Sequence, residues 1–290
     1  MGAEGIIGQL VLNGIIMGVI FSLVGSGMTF ILGVARVLNI AHGAFYMLGG
    51  YVTIMVISLM GVNPIYSLPI IMLLMLLIGF FTQRVIVEPI SESVDAVIIA
   101  TYGLAFFLEG FVLIAFGPGF KGVSPILEGN TYGLGLYIRN QNLIAAAFSI
   151  MILASIAIFL KTVKIGKAIR AVAEDRETAM IMGIEVTHIS MLSFGIGIAI
   201  VGAASALLSS VFPVFPAAGW KWLLMALVIV TVGGMGSIKG SLVAGLIYGM
   251  VDSFLQFLLP QMTVIGLLVV LILIITIRPS GLFGKVIERV

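Results

Sequence analysis

Eight runs of nearly continuous apolar residues, each close to the length that crosses a bilayer, leave this chain few folds to choose from. They are Ile6–Leu32, Ala44–Met60, Ile65–Phe81, Val94–Phe116, Asn142–Leu160, Ile189–Phe212, Ser241–Leu259 and Met262–Ile277. A helix needs roughly 17–25 apolar residues to span hydrocarbon. Inside lipid every backbone N–H and C=O must be bonded within the protein, and runs of this length satisfy that as helices. A ninth run, Leu223–Val232, is short and borrows Gly219–Trp222. The expectation is an all-α, polytopic integral membrane protein with about nine transmembrane helices, in a range of about eight to ten, some of them broken. It is read as a single transmembrane domain over residues 1–290.

Composition agrees. The chain is 61% hydrophobic and 9% charged, with a mean hydropathy of +1.29, whereas soluble domains run at about 45–50% apolar and about 25% charged. A net charge of +2 is too small to point to nucleic acid, and the chain has 0 cysteines, which removes disulfides and thiolate chemistry. Met1-Gly-Ala-Glu puts no basic residue ahead of the first apolar run, so no cleavable signal peptide is expected. Ile6 stands where myristoylation wants Ser or Thr. The chain holds no G-x-x-x-x-G-K-[ST] phosphate loop, no H-E-x-x-H and no second membrane Asp to pair with Asp252. No catalytic residue, metal site or bound cofactor is expected.

The one long polar interruption is Lys161–Ser190, with 161–188 read as the loop proper. Lys161, Lys164, Lys167, Arg170 and Arg176 lie there beside Glu174, Asp175 and Glu177. Ile165, Ile169, Val172 and Ala173 share one helical face, with Lys164, Lys167 and Arg170 largely off it. Asp175 suits the N-cap of a second short helix, with Glu177 in its first turn. Gly183 suits a left-handed C-terminal cap. Two short amphipathic helices are expected. The interleaved acids favour a protein partner over anionic lipid.

Basic residues near span ends set orientation. The central loop and the tail residues Arg278, Lys285 and Arg289 are separated by four spans, so both are read as cytoplasmic and the N-terminus as outside. The Arg84–Asp95 connector is then cytoplasmic. Gly117–Gln141 is extracytoplasmic, with Ile126–Leu127 and Leu136–Ile138 expected to pair as a small hairpin. Phe212–Trp222 is read as an outer interfacial segment on the strength of its Trp pair.

Two Gly-flanked interruptions look alike. Gly33 is followed by Arg36, Asn39 and His42, then Gly43; Gly233 is followed by Gly234, Gly236, Ser237 and Lys239, then Gly240. Paired breaks in two halves point to a transport site, although the same residues also read as two ordinary cytoplasmic turns. Intramembrane polar groups usually face a protein interior, which marks Asn13, Glu109, Asp252 and Thr101. Asn39, His42 and Thr101 are taken as pathway residues, His42 in a hydrogen-bonded structural role. Gly14–Gly18, Gly236–Gly240 and Gly245–Gly249 are small-xxx-small patterns that permit close helix approach.

Several of these stretches carry a family resemblance. Gly166-Lys-Ala-Ile-Arg170-Ala-Val-Ala173-Glu174-Asp175, followed by Ala179 and Gly183-Ile184, resembles the cytoplasmic loop of branched-chain amino acid ABC-transporter permeases. Gly33-Val-Ala-Arg-Val-Leu-Asn39-Ile-Ala-His42-Gly43, Gly233-Gly-Met-Gly236-Ser237-Ile-Lys-Gly240 and Arg278-Pro-Ser-Gly281-Leu-Phe-Gly284 fit in order, from about Asn13 to Gly284. The resemblance implies that the central loop is the coupling element of a permease subunit seated in a groove of an ATPase subunit. It also implies a homologous second permease (or a second copy), two cytoplasmic ATPase subunits carrying ATP and Mg, an extracytoplasmic solute-binding protein, and residence in the cell inner membrane. The cargo would be a small, branched-chain or otherwise hydrophobic amino acid; urea and short amides are carried by similar permeases. An ion-coupled secondary transporter is the alternative class; it needs carboxylates deep in the spans, and the chain offers for that only Glu109 and Asp252, which read equally well as shallow groups near the outer interface.

Overall fold

The computed structural model describes residues 3–278 apart from residue 134, together with 281–284. Lys285 and Arg289, on which part of the orientation reading rests, lie outside the described residues, as do Pro279 and Ser280 of the C-terminal motif.

Among the described residues eleven α-helices follow in chain order: α1 (Ala3–Val34), α2 (His42–Met60), α3 (Pro64–Thr82), α4 (Val94–Phe116), α5 (Asn140–Thr162), α6 (Lys164–Glu174), α7 (Arg176–Ile181), α8 (Val186–Leu208), α9 (Gly219–Gly233), α10 (Ile238–Leu258) and α11 (Thr263–Ile277). Nine of the helices, all but α6 and α7, are long and apolar enough to cross a membrane, α9 and α11 with the short 3₁₀ turns that precede them. Past Thr82 the α3 rod continues through a π-turn at Gln83–Val87 and a 3₁₀ turn at Glu88–Ile90. The nine spans match the apolar runs because backbone bonding in lipid leaves no other conformation for them.

The helices α1 and α8 form the centre. Lipid supplies no hydrophobic drive between helices, so close approach and interhelical hydrogen bonds hold them. Gly14 and Gly18 of α1 face Gly249 and Gly245 of α10 backbone to backbone. Ser22 Oγ donates to Leu242 O at 3.1 Å, and the hydroxyls of Thr29 and Ser241 lie 2.6 Å apart. On the outside, α3, α4 and α11 expose large apolar side chains such as Leu73, Phe107, Ile114 and Ile272, the surface a bilayer solvates.

An internal repeat organises the bundle. The helix α1 packs on α10 as α8 packs on α3; α1 also crosses α8, and α2 crosses α9. The two triplets α1–α2–α3 and α8–α9–α10 therefore exchange under an approximate two-fold. They run in opposite senses: the end of α1 (Phe30, Val34) and the start of α8 (Val186, Ile189) share one cluster with α6 and α7, while Ser210, just past α8, bonds Gln141 at the other end. This is an inverted-topology repeat, the arrangement that places breaks from both halves against one another.

At the end opposite α6 and α7 lies a small hairpin, β1 (Asn130–Gly133) with β2 (Leu136–Arg139), antiparallel and in the register Gly133↔Leu136. The second strand is where the sequence pattern puts it, but the first is not Ile126–Leu127. Gly135, at φ 74°, precedes the second strand where the chain turns back, and Ile126 N is satisfied instead by Gln141 Oε1 at 2.7 Å. Gln9 of α1 anchors the hairpin, donating to Tyr137 O at 2.6 Å and accepting from Tyr137 N at 2.8 Å.

Candidate functional site

Two places in the molecule are built for more than packing. The first is the platform formed by α6 and α7. The buried face of α6 is Gly166, Ile169 and Val172; of the face read from the sequence, Ile169 and Val172 are buried and Ala173 half-buried, but Ile165 is exposed and Gly166 takes its place. That follows from how closely α6 lies on the end of α5. A Cβ at Gly166 would sit 2.7 Å from Leu160 Cα and 2.9 Å from the carbonyl carbon of Phe159, so only glycine allows the approach.

Asp175 breaks the two helices as expected. Its Oδ1 accepts from the backbone N–H of Glu177 at 3.0 Å and of Thr178 at 3.1 Å, and the Thr178 hydroxyl donates to Oδ2 at 2.5 Å. Those bonds from Thr178, backed by the nearby Arg36 guanidinium, hold the Asp175 carboxyl below the ordinary carboxylate range. Gly183 takes φ 80° and its neighbour Ile184 N returns to Ala179 O at 3.0 Å, closing α7. Ala179 is buried under the platform, Ala173 is half-buried, and Arg170, Glu174, Asp175 and Gly183 lie on its surface. Beside them Met180, Ile181 and Met182 are 52%, 85% and 76% exposed. The sequence reading missed this apolar trio, because three consecutive residues carry no periodicity.

The second place is inside the bundle. The chain between α1 and α2 does not loop away from the protein. From Val34 it turns back, and His42 Nε2 meets Val24 O at 3.2 Å. At 1.5 Å per residue, the start of α2 lies about 15 Å in from the end of α1. Asn39 and His42 are both 0% exposed. Asn39 Oδ1 accepts from Ala41 N at 3.0 Å and Thr101 Oγ1 accepts from Ile40 N at 3.2 Å, so two side chains satisfy backbone donors that no strand or helix serves. Asn39, His42, Gly43 and Thr101 are thus brought together.

The Gly233–Ser237 stretch sits elsewhere. Gly236 abuts Gly33 at the end of α1, Gly233 abuts Gly240, and Leu282 N and Phe283 N bond Val232 O and Gly233 O at 2.8 and 3.1 Å. Ser237 caps α10, its Oγ accepting from Gly240 N at 3.0 Å. It is a short turn near the platform end, the repeat counterpart of the α2–α3 connection. The counterpart of the Ala35–Ala41 return is Ser209–Ala218, which overlaps the Phe212–Trp222 stretch that the sequence reading placed at a membrane interface. In the structure Trp222 is buried, stacked on Tyr46 with centroids 4.2 Å apart and edge-on to Phe21 at 6.2 Å. Where the segment is buried, Pro216 brings no N–H and Val214 exchanges backbone bonds with Lys121 at 2.7 and 2.8 Å.

The starts of α2 and α9 meet. A Cβ at Gly43 would lie 2.8 Å from both the carbonyl carbon of Gly219 and Leu223 Cβ, and closer still to Gly219 O. Beside this crossing is a recess lined by Ile40, Ala44, Ala105, Glu109, Trp220 and Leu223, among others. Glu109 Oε2 accepts from Trp220 Nε1 at 3.0 Å. Asp252 is held apart from it, accepting from Gln256 Nε2 at 2.6 Å on α10; Asn13 serves Gln9 near the hairpin.

Helix starts from two inverted halves meeting within a multi-pass bundle, with a separate helical platform at one end, define a membrane permease. Residues 10–277 match the family described as branched-chain amino acid transport system, permease component, and the chain belongs to that family. It is 27% identical to the high-affinity branched-chain amino acid transport system permease protein BraD of Pseudomonas aeruginosa, over 96% of this chain and 95% of that one. It is 26% identical to LivH of Escherichia coli, over 96% and 95%, and 26% identical to the probable branched-chain amino acid transport permease LivH of Methanocaldococcus jannaschii, over 95% and 92%. In fold it resembles a chain of PsaBC from Streptococcus pneumoniae, solved in complex with Fab, with a TM-score of 0.54 and 14% identity over 98% of both chains.

Proposed function

We propose that this chain is the transmembrane subunit of an ABC importer for a small apolar amino acid, most naturally a branched-chain one. Separate ATPase subunits bind the α6–α7 platform, a homologous permease or second copy completes the pore, and an extracytoplasmic binding protein delivers cargo at the hairpin end. The N-terminus then lies outside and the C-terminus in the cytoplasm. The observation that carries this reading is the platform itself: Met180–Met182 exposed next to Arg170 and Glu174, on a rigidly capped helix pair that packs against the end of α1.

The chemistry asked of this chain is mechanical. ATP-driven closure of the ATPases would press on α7. Arg36 lies within electrostatic reach of Asp175 and begins the return to Asn39 and His42. Displacement of the platform would therefore reach the start of α2, where it meets α9, and change access to the interior. Phosphate-loop chemistry belongs to the partners, since no such motif occurs in the chain.

The test is co-purification with the ATPases and uptake by reconstituted vesicles. ATP-dependent leucine uptake that stops when the ATPases are omitted is the expected result. Uptake that persists without ATP and follows an ion gradient would sink the importer reading in favour of a secondary carrier, and uptake of urea in place of leucine would move the cargo to short amides.

A further inference from the structure

We infer that the open recess beside the β1–β2 hairpin is a docking point for the extracytoplasmic binding protein, which brings an acid to Arg139 and a base to Glu128; the choice of that partner rests on the function proposed above. The recess, of about 310 Å³, is lined by Pro125, Leu127, Glu128, Asn130, Tyr137 and Arg139, among others. Both charged side chains are exposed. Among the described residues neither has a hydrogen-bond or ion partner, and they do not pair with each other.

The frame around them is fixed. Gln9 of α1 holds both backbone groups of Tyr137, and Gln141 of α5 holds Ile126 N and Ser210 Oγ. Asn140 donates its backbone N–H to Gly129 O at 3.2 Å and its Nδ2 to Glu128 O at 3.3 Å. These amides set the shape of the recess and leave one anion and one cation in it without partners. A surface ordered in advance binds without the entropic cost of ordering it.

Those two charges decide the class of occupant. Sites for small molecules bury about 70–90% of the ligand, which an open recess between exposed side chains does not do. An anionic lipid surface would attract Arg139 and repel Glu128. A folded protein surface carries both signs, and Arg is suited to bidentate pairing with a carboxylate. Beside the charges Tyr132 and Tyr137 are exposed and edge-on, centroids 5.4 Å apart, as is Leu127 exposed; Tyr and Arg are enriched in protein interfaces. From Gln9 at the hairpin, α1 runs unbroken to Phe30 and Val34 in the cluster shared with α6 and α7. The helix α8 joins that cluster to Ser210. A partner seated in the recess therefore holds the outer ends of the two helices whose other ends carry the platform.

The full chain, reconstituted with its ATPases in phosphatidylcholine nanodiscs, is titrated with the purified, leucine-loaded binding protein of the same transport system, reading association by interferometry. Arg139→Glu and Glu128→Lys should each weaken association at least tenfold with the melting temperature unchanged. Glu4→Lys, which alters an exposed acid at the start of α1, should leave association as in the parent. Replacing the binding protein's surface acids with Lys one at a time should yield a variant that recovers tight binding to Arg139→Glu and binds the parent poorly. Parent-like association of both reversals would overturn the docking point and leave the importer reading intact. Weakened association that no partner reversal restores would overturn the direct contact. Reversals that shift melting only when phosphatidylglycerol is added, with association unchanged, would make the recess a headgroup contact instead. No association by the parent would remove the docking point, and only uptake that needs no ATPase would take the importer reading with it.

Discussion

Gly43 is where the two halves touch, and replacing it with alanine tests the architecture directly. The added Cβ would stand 2.8 Å from the carbonyl carbon of Gly219 and from Leu223 Cβ, and nearer still to Gly219 O. Carbon atoms prefer separations of about 3.5–4.0 Å, so α2 and α9 must part by roughly 1 Å to admit it. The obstructing atoms are mostly backbone, with no flexible side chain to swing away. Overpacking of this kind costs about 1–3 kcal/mol, and the upper end applies here. Gly103 on α4 is the matched control, since a Cβ there meets nothing within 4 Å, and Gly→Ala in a helix interior gains up to about 1 kcal/mol. Thermal melting in one detergent should show Gly43→Ala well below the parent and Gly103→Ala at or above it. Equal melting of the two variants would refute the meeting of helix starts and, with it, the inverted repeat as drawn.

Three further predictions concern the platform and the return loop. Ile181→Asp should weaken ATPase association in pull-downs severalfold while leaving melting unchanged, because the side chain is 85% exposed and holds nothing together; retained association would remove Met180–Met182 from the docking surface. Asp175 is favoured in its ionised form by its cap bonds, so its folded pKa lies below the ordinary 3.8. The cap is therefore fully present above that value and is lost as pH falls through the lower, folded one. Hydrogen exchange at Glu177 and Thr178 should be protected to below pH 3.8, and Asp175→Ala should expose both amides at every pH. Thr101→Val removes the acceptor for Ile40 N and leaves that donor unpaired, at a cost of about 1–3 kcal/mol. Thr101→Ser should restore the melting point, and a neutral Thr101→Val would show that Ile40 N finds another partner.

Much of this could be read from residue order. The spans were legible because lipid demands one length and one conformation. The α6–α7 pair was legible because its signals are local: a cap acid at Asp175, a left-handed glycine at Gly183, and a face repeating every three to four residues. Asn39, His42 and Thr101 were picked out as polar groups among apolar ones, and the structure does gather them. The mistaken pairing was between Gly33–Gly43 and Gly233–Gly240, which look alike in composition. A buried return and a surface turn use the same glycines and polar residues; what separates them is depth, and depth is set by the helices packed around them. The true counterpart, Ser209–Ala218, hid because its Pro213 and Pro216, with Trp220 and Trp222 just beyond it on α9, also describe a membrane interface.

By itself, then, the sequence determined a multi-pass helical membrane protein with one polar platform, since backbone bonding in lipid and helix capping are local requirements. Tertiary structure alone decided that α2 and α9 begin inside the bundle and meet, that Trp222 is core rather than interface, and that Glu109 shares a recess with Trp220. Those outcomes depend on contacts between residues far apart in sequence, Gly43 with Gly219 and Glu109 with Trp220, and no local pattern encodes which distant backbone will lie 3 Å away.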